Sequence, residues 1–149
     1  MPIKNDVVIG KDVKIWHPDL CNFYGCEIGD GTSIGSFCEI QNEVKIGERC
    51  KLQAFVFIPR GVIIGDDVFI GPHVCFTNDK YPSCSQGFNC LTTIIEDGVV
   101  IGANSTICPG ITLGKNCRIG AGAVVTKNIE KNLLVAGNPA RIIRRIDNE

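Results

Sequence analysis

Along most of the chain an aliphatic residue followed by glycine returns every six residues. The pairs are Ile9-Gly10, Ile28-Gly29, Ile34-Gly35, Ile46-Gly47, Ile64-Gly65, Ile70-Gly71, Ile101-Gly102, Leu113-Gly114 and Ile119-Gly120. Ile15, Ile40, Leu52, Ile58, Phe76, Ile95, Ile107 and Val125 hold the same slot without the glycine. Two residues earlier stands a small or β-branched residue, as at Val44, Cys50, Val56, Val62 and Val68. Residues two apart on a strand share a face, so each hexad predicts a short strand with two inward side chains and then a glycine-rich or polar corner. Lys14, Glu27, Glu39, Lys45 and Lys51 supply the outward face. An amphipathic helix needs apolar spacings of three and four, so no helix is expected between residues 3 and 125. Separate antiparallel strands would not hold phase from Ile28 to Phe76. Parallel strands stacked coil on coil, about 4.8 Å apart, do. The period predicts an all-β solenoid.

Composition narrows the class. A length of 149 residues suits one domain, 1–149. A net charge of −1 and a pI near 6.1 give no basic footprint for nucleic acid. No apolar run approaches the roughly 20 residues of a membrane span, and Met1-Pro2-Ile3-Lys4 lacks the shape of a signal peptide. The expected location is cytoplasmic. Nine cysteines would suit a disulfide scaffold, but Cys26, Cys38, Cys50 and Cys117 all fall in the small inward slot and read as buried apolar residues. No Cys-x-x-Cys pair is present, so no metal is expected. Cys84 and Cys90 lie in a loop and receive no role.

Three breaks interrupt the rhythm, and breaks in a regular scaffold are where function is grafted. In residues 16–25 the phase slips by one residue, around Trp16, His17, Pro18 and Tyr24. This is either a plain irregular corner or a surface for a flat ligand ring. Residues 77–93 have no anchor periodicity and hold Asn78, Asp79, Lys80, Tyr81, Pro82 and Gln86. They predict an outward loop beside a rigid scaffold, in the place of an active-site arm. Residues 127–149 are richer in charge, with a turn at Gly137-Asn138-Pro139. Ile142, Ile143 and Ile146 suggest a short strand or helix that folds back to cap the open end. Arg and Lys there also suit phosphate oxygens.

Several stretches carry a family resemblance: Ile119-Gly120-Ala121-Gly122-Ala123-Val124-Val125-Thr126-Lys127, Val135-Ala136-Gly137-Asn138-Pro139-Ala140-Arg141, Phe37-Cys38-Glu39-Ile40-Gln41, Phe76-Thr77-Asn78-Asp79-Lys80-Tyr81-Pro82 and Asn22-Phe23-Tyr24-Gly25. The chain resembles the hexapeptide-repeat acyltransferases, in the branch that N-acetylates amino sugars carried on nucleoside diphosphates. The resemblance implies a three-sided, left-handed parallel β-helix of roughly six coils, against the usual right-handed crossover preference, with one projecting loop and a short C-terminal capping tail. It implies a homotrimer with clefts between subunits, acetyl-CoA as donor, and a nucleotide-linked amino sugar as acceptor. By the same resemblance, backbone groups at Ala103 and Ala121 would hold the pantetheine arm, and Thr126, Lys127 and Arg144 would meet the adenine or phosphate end. Asn22, Tyr24, Gln41 and Tyr81 would contact sugar or nucleotide.

The chemistry then needs a group to receive the amine's proton and a donor for the tetrahedral oxyanion. Residues 77–93 hold no histidine, unlike some members of the family. Asp79 becomes the candidate for orienting or deprotonating the ammonium, with Asn78 bonding the amine or the acetyl oxygen, and His73 just before the loop as the third candidate. A carboxylate is a weak base at neutral pH, so positioning carries much of the expected effect. The alternatives are O-acetylation of a sugar or small hydroxyl compound, and a non-catalytic trimeric scaffold. A zinc carbonic anhydrase on the same solenoid would need three histidine ligands, and the chain has two histidines.

Overall fold

The computed structural model describes residues 2–147; Met1 and the last two positions of the tail lie outside them. Three parallel sheets form the walls of a triangular column of about seven turns, the architecture of the left-handed β-helix. The first wall stacks Val8–Ile9, Glu27–Ile28, Lys45–Ile46, Val62–Ile64, Thr93–Ile95 and Thr112–Leu113. The second stacks Lys14–Ile15, Ser33–Ile34, Lys51–Leu52, Phe69–Ile70, Val100–Ile101, Arg118–Ile119 and Leu133–Ala136. The third stacks Asn22–Phe23, Glu39–Ile40, Phe57–Ile58, Cys75–Phe76, Thr106–Ile107 and Val124–Val125. The predicted period sets this register: Ile28, Ile46 and Ile64 lie one above another, as do Ile34, Leu52 and Ile70.

The anchors and their small partners form one continuous core. Ile34, Ile40, Ile58, Ile70, Phe76, Ile101, Ile107 and Leu113 are all fully buried. Burying each such side chain contributes about 1.5–3 kcal/mol, and every coil depends on its neighbours for that burial. The buried hydroxyls are satisfied: Thr32 Oγ1 donates to Gly47 O at 2.9 Å and accepts from Cys50 N at 3.0 Å, and Thr93 Oγ1 accepts from Gly110 N at 3.1 Å. Glycine follows the anchor because coils approach closely there. A Cβ on Gly47 would stand 2.4 Å from Gly65 O.

The cysteines follow the slot assignment. Cys26, Cys38, Cys50 and Cys117 are buried, and Cys84 is exposed. Burial pushes the thiols of Cys26 and Cys38 up to about 11 and that of Cys117 to about 12. The thiolate is the reactive form, so these three should stay inert at neutral pH. With a thiol reagent in native buffer, Cys84 reacts first and the buried thiols react only on unfolding. Fast labelling of Cys38 or Cys117 in the folded protein would contradict the packing.

Two expectations need correction. The phase slip near residue 16 is an insertion followed by a deletion. A single 3-10 turn, Pro18–Leu20, lengthens the corner before Asn22–Phe23, and the next corner is short. Phe23, fully buried, is the true anchor of that coil, with Cys21 in its small slot. The tail is not wholly a cap either. Ile129 bridges Leu113, and Val135 lies beside Ile119, so residues 129–136 add a seventh turn to the column after a shortened corner. Only then does the chain reverse, and Arg141–Arg145 runs antiparallel to Leu133–Ala136. Ile146 is buried at this end, whereas Ile142 and Ile143 remain exposed.

Candidate active site

The longest insertion leaves the corner between the third and first walls. Regular coils repeat every 18 residues, as Ile63 beside Lys45 shows, but Val62 pairs with Thr93, so residues 77–92 are largely excess chain. This arm is closed at its base. Leu91 N donates to Asn78 O at 2.8 Å, and Asn78 Nδ2 donates to Arg60 O at 3.0 Å. Thr77 Oγ1 donates to Ile107 O at 2.9 Å and fixes the point of departure. Asn78 and Asp79 are half-buried at the neck, and Asp79 Oδ1 accepts from Tyr81 N at 3.2 Å, which turns the chain. Tyr81 itself is 79% exposed, with Lys80 Nζ over its ring at 5.4 Å.

Below the arm, the same corner holds Tyr24 and Gln41. Tyr24 N donates to Ile40 O and Gln41 N to Ile58 O, so the two residues stand in successive coils. Desolvation first, and the nearby Glu39 carboxylate second, push the Tyr24 phenol above its usual value. Its hydroxyl therefore stays protonated and able to donate. Gln41 spends both ends of its amide inside the chain: Nε2 donates to Glu39 Oε1 at 2.8 Å, and Oε1 accepts from Arg60 N at 3.3 Å. Asn22 is exposed on the third wall, one coil below Glu39.

Above the arm the corner carries Cys108 and then Thr126-Lys127. A groove of about 530 Å³ runs there, lined by Lys80 from the arm, Cys108, Pro109 and Gly110, and Thr126 and Lys127. Two ammonium groups and a run of corner backbone suit an elongated anionic ligand.

The corner between the second and third walls is different. Phe37, Phe55 and His73 occupy one position in successive coils, each with left-handed backbone, at φ 60°, 63° and 61°. Bulky residues adopt that conformation at a cost of roughly 1–2 kcal/mol each. Their rings stack at 4.8 Å and 4.6 Å, with interplanar angles of 14° and 5°, which offsets part of that cost. The His73 backbone N–H donates to Ala54 O at 3.1 Å, while its imidazole makes no hydrogen bond among the described residues and rests on the Phe55 ring. Trp16 is exposed on the same corner. The sequence carried a signal for this ladder in the 18-residue spacing of Phe37, Phe55 and His73, which a search for apolar anchors passes over. Ala103 and Ala121 continue the corner upward, with Gly122 N donating to Ala103 O at 2.8 Å. Their own N–H groups donate to nothing among the described residues.

The named residues thus fall into two lines flanking the third wall. Tyr24, Gln41, Asn78, Asp79, Thr126 and Lys127 lie on one edge; His73, Ala103 and Ala121 lie on the other. Arg144 is apart from both, opposite Leu134 on the outermost strand of the second wall. Within one chain His73 and Asp79 lie on opposite edges of the third wall.

Models of known families match in two regions. The bacterial transferase hexapeptide (six repeats) matches residues 25–60 and 43–78, and the hexapeptide repeat of succinyl-transferase matches residues 92–127. Among curated proteins, the galactoside O-acetyltransferase of Escherichia coli is 38% identical over 91 residues, 58% of this chain and 45% of that protein. The chain spans about half the length of such relatives. A hexapeptide-repeat acetyltransferase from Vibrio cholerae, solved with acetyl coenzyme A, is 26% identical, with TM-score 0.66 over 96% of this chain and 72% of that one. AntD, an N-acyltransferase from Bacillus cereus solved with dTDP and 3-hydroxybutyryl-CoA, shares the fold at 21% identity, with TM-score 0.72 over 96% of this chain and 81% of that one.

Proposed function

Because the chain belongs to the hexapeptide-repeat family, whose models cover both halves of its column, we propose that it transfers an acetyl group from acetyl-CoA to the amine of a nucleoside-diphosphate-linked amino sugar. The observation that carries the proposal is the arm neck: a half-buried Asn78-Asp79 pair next in sequence to Lys80, which lines a groove shared with Thr126 and Lys127. A carboxylate there attracts an ammonium, and the basic groove above attracts a phosphate-bearing donor. The unspent N–H groups of Ala103 and Ala121 fit the amide-rich arm of coenzyme A on the other edge of the wall.

The working unit in this proposal is a homotrimer in a reducing, cytoplasmic compartment. Each cleft takes the arm of one subunit and the His73 corner of the next. Asp79 orients the ammonium and draws off a proton, and Asn78 Oδ1 accepts from the same nitrogen, while Nδ2 ties the residue to Arg60. The amine nitrogen bonds to the thioester carbonyl carbon, the oxygen becomes an oxyanion, and the C–S bond then breaks to give the amide and the coenzyme thiol. In this reading the imidazole of His73, from the adjoining subunit's corner, passes the amine's second proton to the departing sulfur. Asn22, Tyr24 and Tyr81 frame the sugar and nucleotide.

A second reading, O-acetylation, draws on the likeness to the galactoside O-acetyltransferase. It asks more of the site, because a neutral hydroxyl is a weaker nucleophile than a neutral amine and needs a general base as it attacks, and the arm itself offers no imidazole. Coenzyme thiol release, measured with matched amino and hydroxy forms of a nucleotide-linked sugar, separates the two. We expect release with the amine alone. Release with the hydroxyl form alone makes O-acetylation the function. A chain with no release and no rise in melting temperature under saturating acetyl-CoA is the scaffold, since a ligand at 100 times its Kd adds about 2.7 kcal/mol to the native state.

A further inference from the structure

Every tie between the arm neck and the column beneath it converges on Arg60-Gly61. The Arg60 carbonyl accepts from Asn78 Nδ2 at 3.0 Å and from Cys90 Sγ at 3.4 Å, one residue from each end of the arm. The next carbonyl, of Gly61, accepts from Thr93 N at 3.0 Å. Gly61 has φ +93°, and a Cβ there would stand 2.7 Å from Cys90 Sγ, so the neck is seated on this backbone with no space to spare. The Arg60 side chain is pulled aside, its Nε donating to Glu43 Oε2 at 2.6 Å. One side chain from the coil below holds the Arg60 amide: Gln41, through Oε1, with Nε2 in turn fixed by Glu39.

We infer that Gln41 is a positioning residue: it sets Asn78 and Asp79 through the backbone of Arg60 and makes no contact with the acceptor. The line runs Glu39, Gln41, Arg60, Asn78, with hydrogen bonds of 2.8, 3.3 and 3.0 Å. It rests on the proposed acetyl transfer only for its catalytic consequence; the mechanical tie stands on its own. Each end of the Gln41 amide already holds a partner within the chain, which fixes its orientation.

The test exchanges donor and acceptor. Gln41→Glu keeps an oxygen for the Arg60 N–H but sets two carboxylates against each other at Glu39, so the line breaks. Gln41→Glu combined with Glu39→Gln restores it with the roles reversed. In the single variant we expect kcat to fall about tenfold, as for a small displacement of reacting groups, with the acceptor KM unchanged and faster amide exchange at Leu91 and Thr93. In the double variant both return to the parent values. An acceptor KM that rises in both variants overturns the inference, because a direct contact through the amide would not be rescued. Unaltered exchange at Leu91 in the single variant overturns it too. Exchange needs no substrate: a chain with rescued exchange that acetylates no amine upholds the tie and refutes the proposed function.

Discussion

Asp79→Asn lowers kcat for acetyl transfer by roughly 100-fold or more, the range for losing a positioned acid–base group, and leaves acetyl-CoA affinity unchanged. The substitution isolates charge. Asparagine keeps an oxygen to accept the Tyr81 N–H that Asp79 Oδ1 now accepts at 3.2 Å, so the turn at the arm neck survives. What the proposed reaction loses is the negative charge beside the substrate ammonium and the site that takes its proton. The proposed coenzyme contacts, Ala103 and Ala121 on one edge and Thr126 and Lys127 on the other, are untouched. Steady-state kinetics together with calorimetric titration of coenzyme A check the two halves separately. A kcat within twofold of the parent removes Asp79 from the chemistry, and a parallel loss of coenzyme binding means that the neck has collapsed.

Phe76→Ala destabilises the protein by about 3–5 kcal/mol, the usual cost of emptying an aromatic core site. Phe76 is fully buried on the third wall, beside Ile107 in the next coil, and it is the last anchor before the arm departs. Neighbouring coils cannot close over the gap without losing their own register, because each strand is tied to the coil above it: Thr77 N donates to Ile107 O at 3.1 Å. Urea unfolding measures the change. A loss under about 1 kcal/mol would mean that the coils repack freely, against the close packing usual in protein interiors. In a stack with nearest-neighbour coupling the cost also spreads to the arm, so exchange at Leu91 should accelerate in this variant.

How much of this was legible in the chain can be read from particular residues. The anchors from Ile28 to Phe76 gave the strand positions directly, because a period of six in a three-sided coil stacks residues 18 apart one above another on the same wall. The small slot explained Cys26, Cys38, Cys50 and Cys117 through volume alone. Residues 77–93 stood out because they break a rule that the rest obeys. Phe23 was missed because its corner has two residues too many and the next one too few, and two offsetting shifts look like a single slip. The seventh turn was missed for a related reason: a shortened corner puts Ile129 out of phase. The Gln41–Arg60–Asn78 line lies beyond any sequence pattern, since it joins a side chain to a backbone group in the next coil. The split of His73 from Asp79 across the third wall likewise requires knowing which corner each occupies.

The measurement closest to the central claim is a crystal structure of the protein with coenzyme A and a nucleotide-linked amino sugar. The account requires columns packed side by side, the sugar nitrogen beside Asp79 of one subunit, and the coenzyme sulfur between that arm and the neighbouring subunit's corner. Ligand density remote from the arm, or a lone column with no cleft at Asp79, would contradict it.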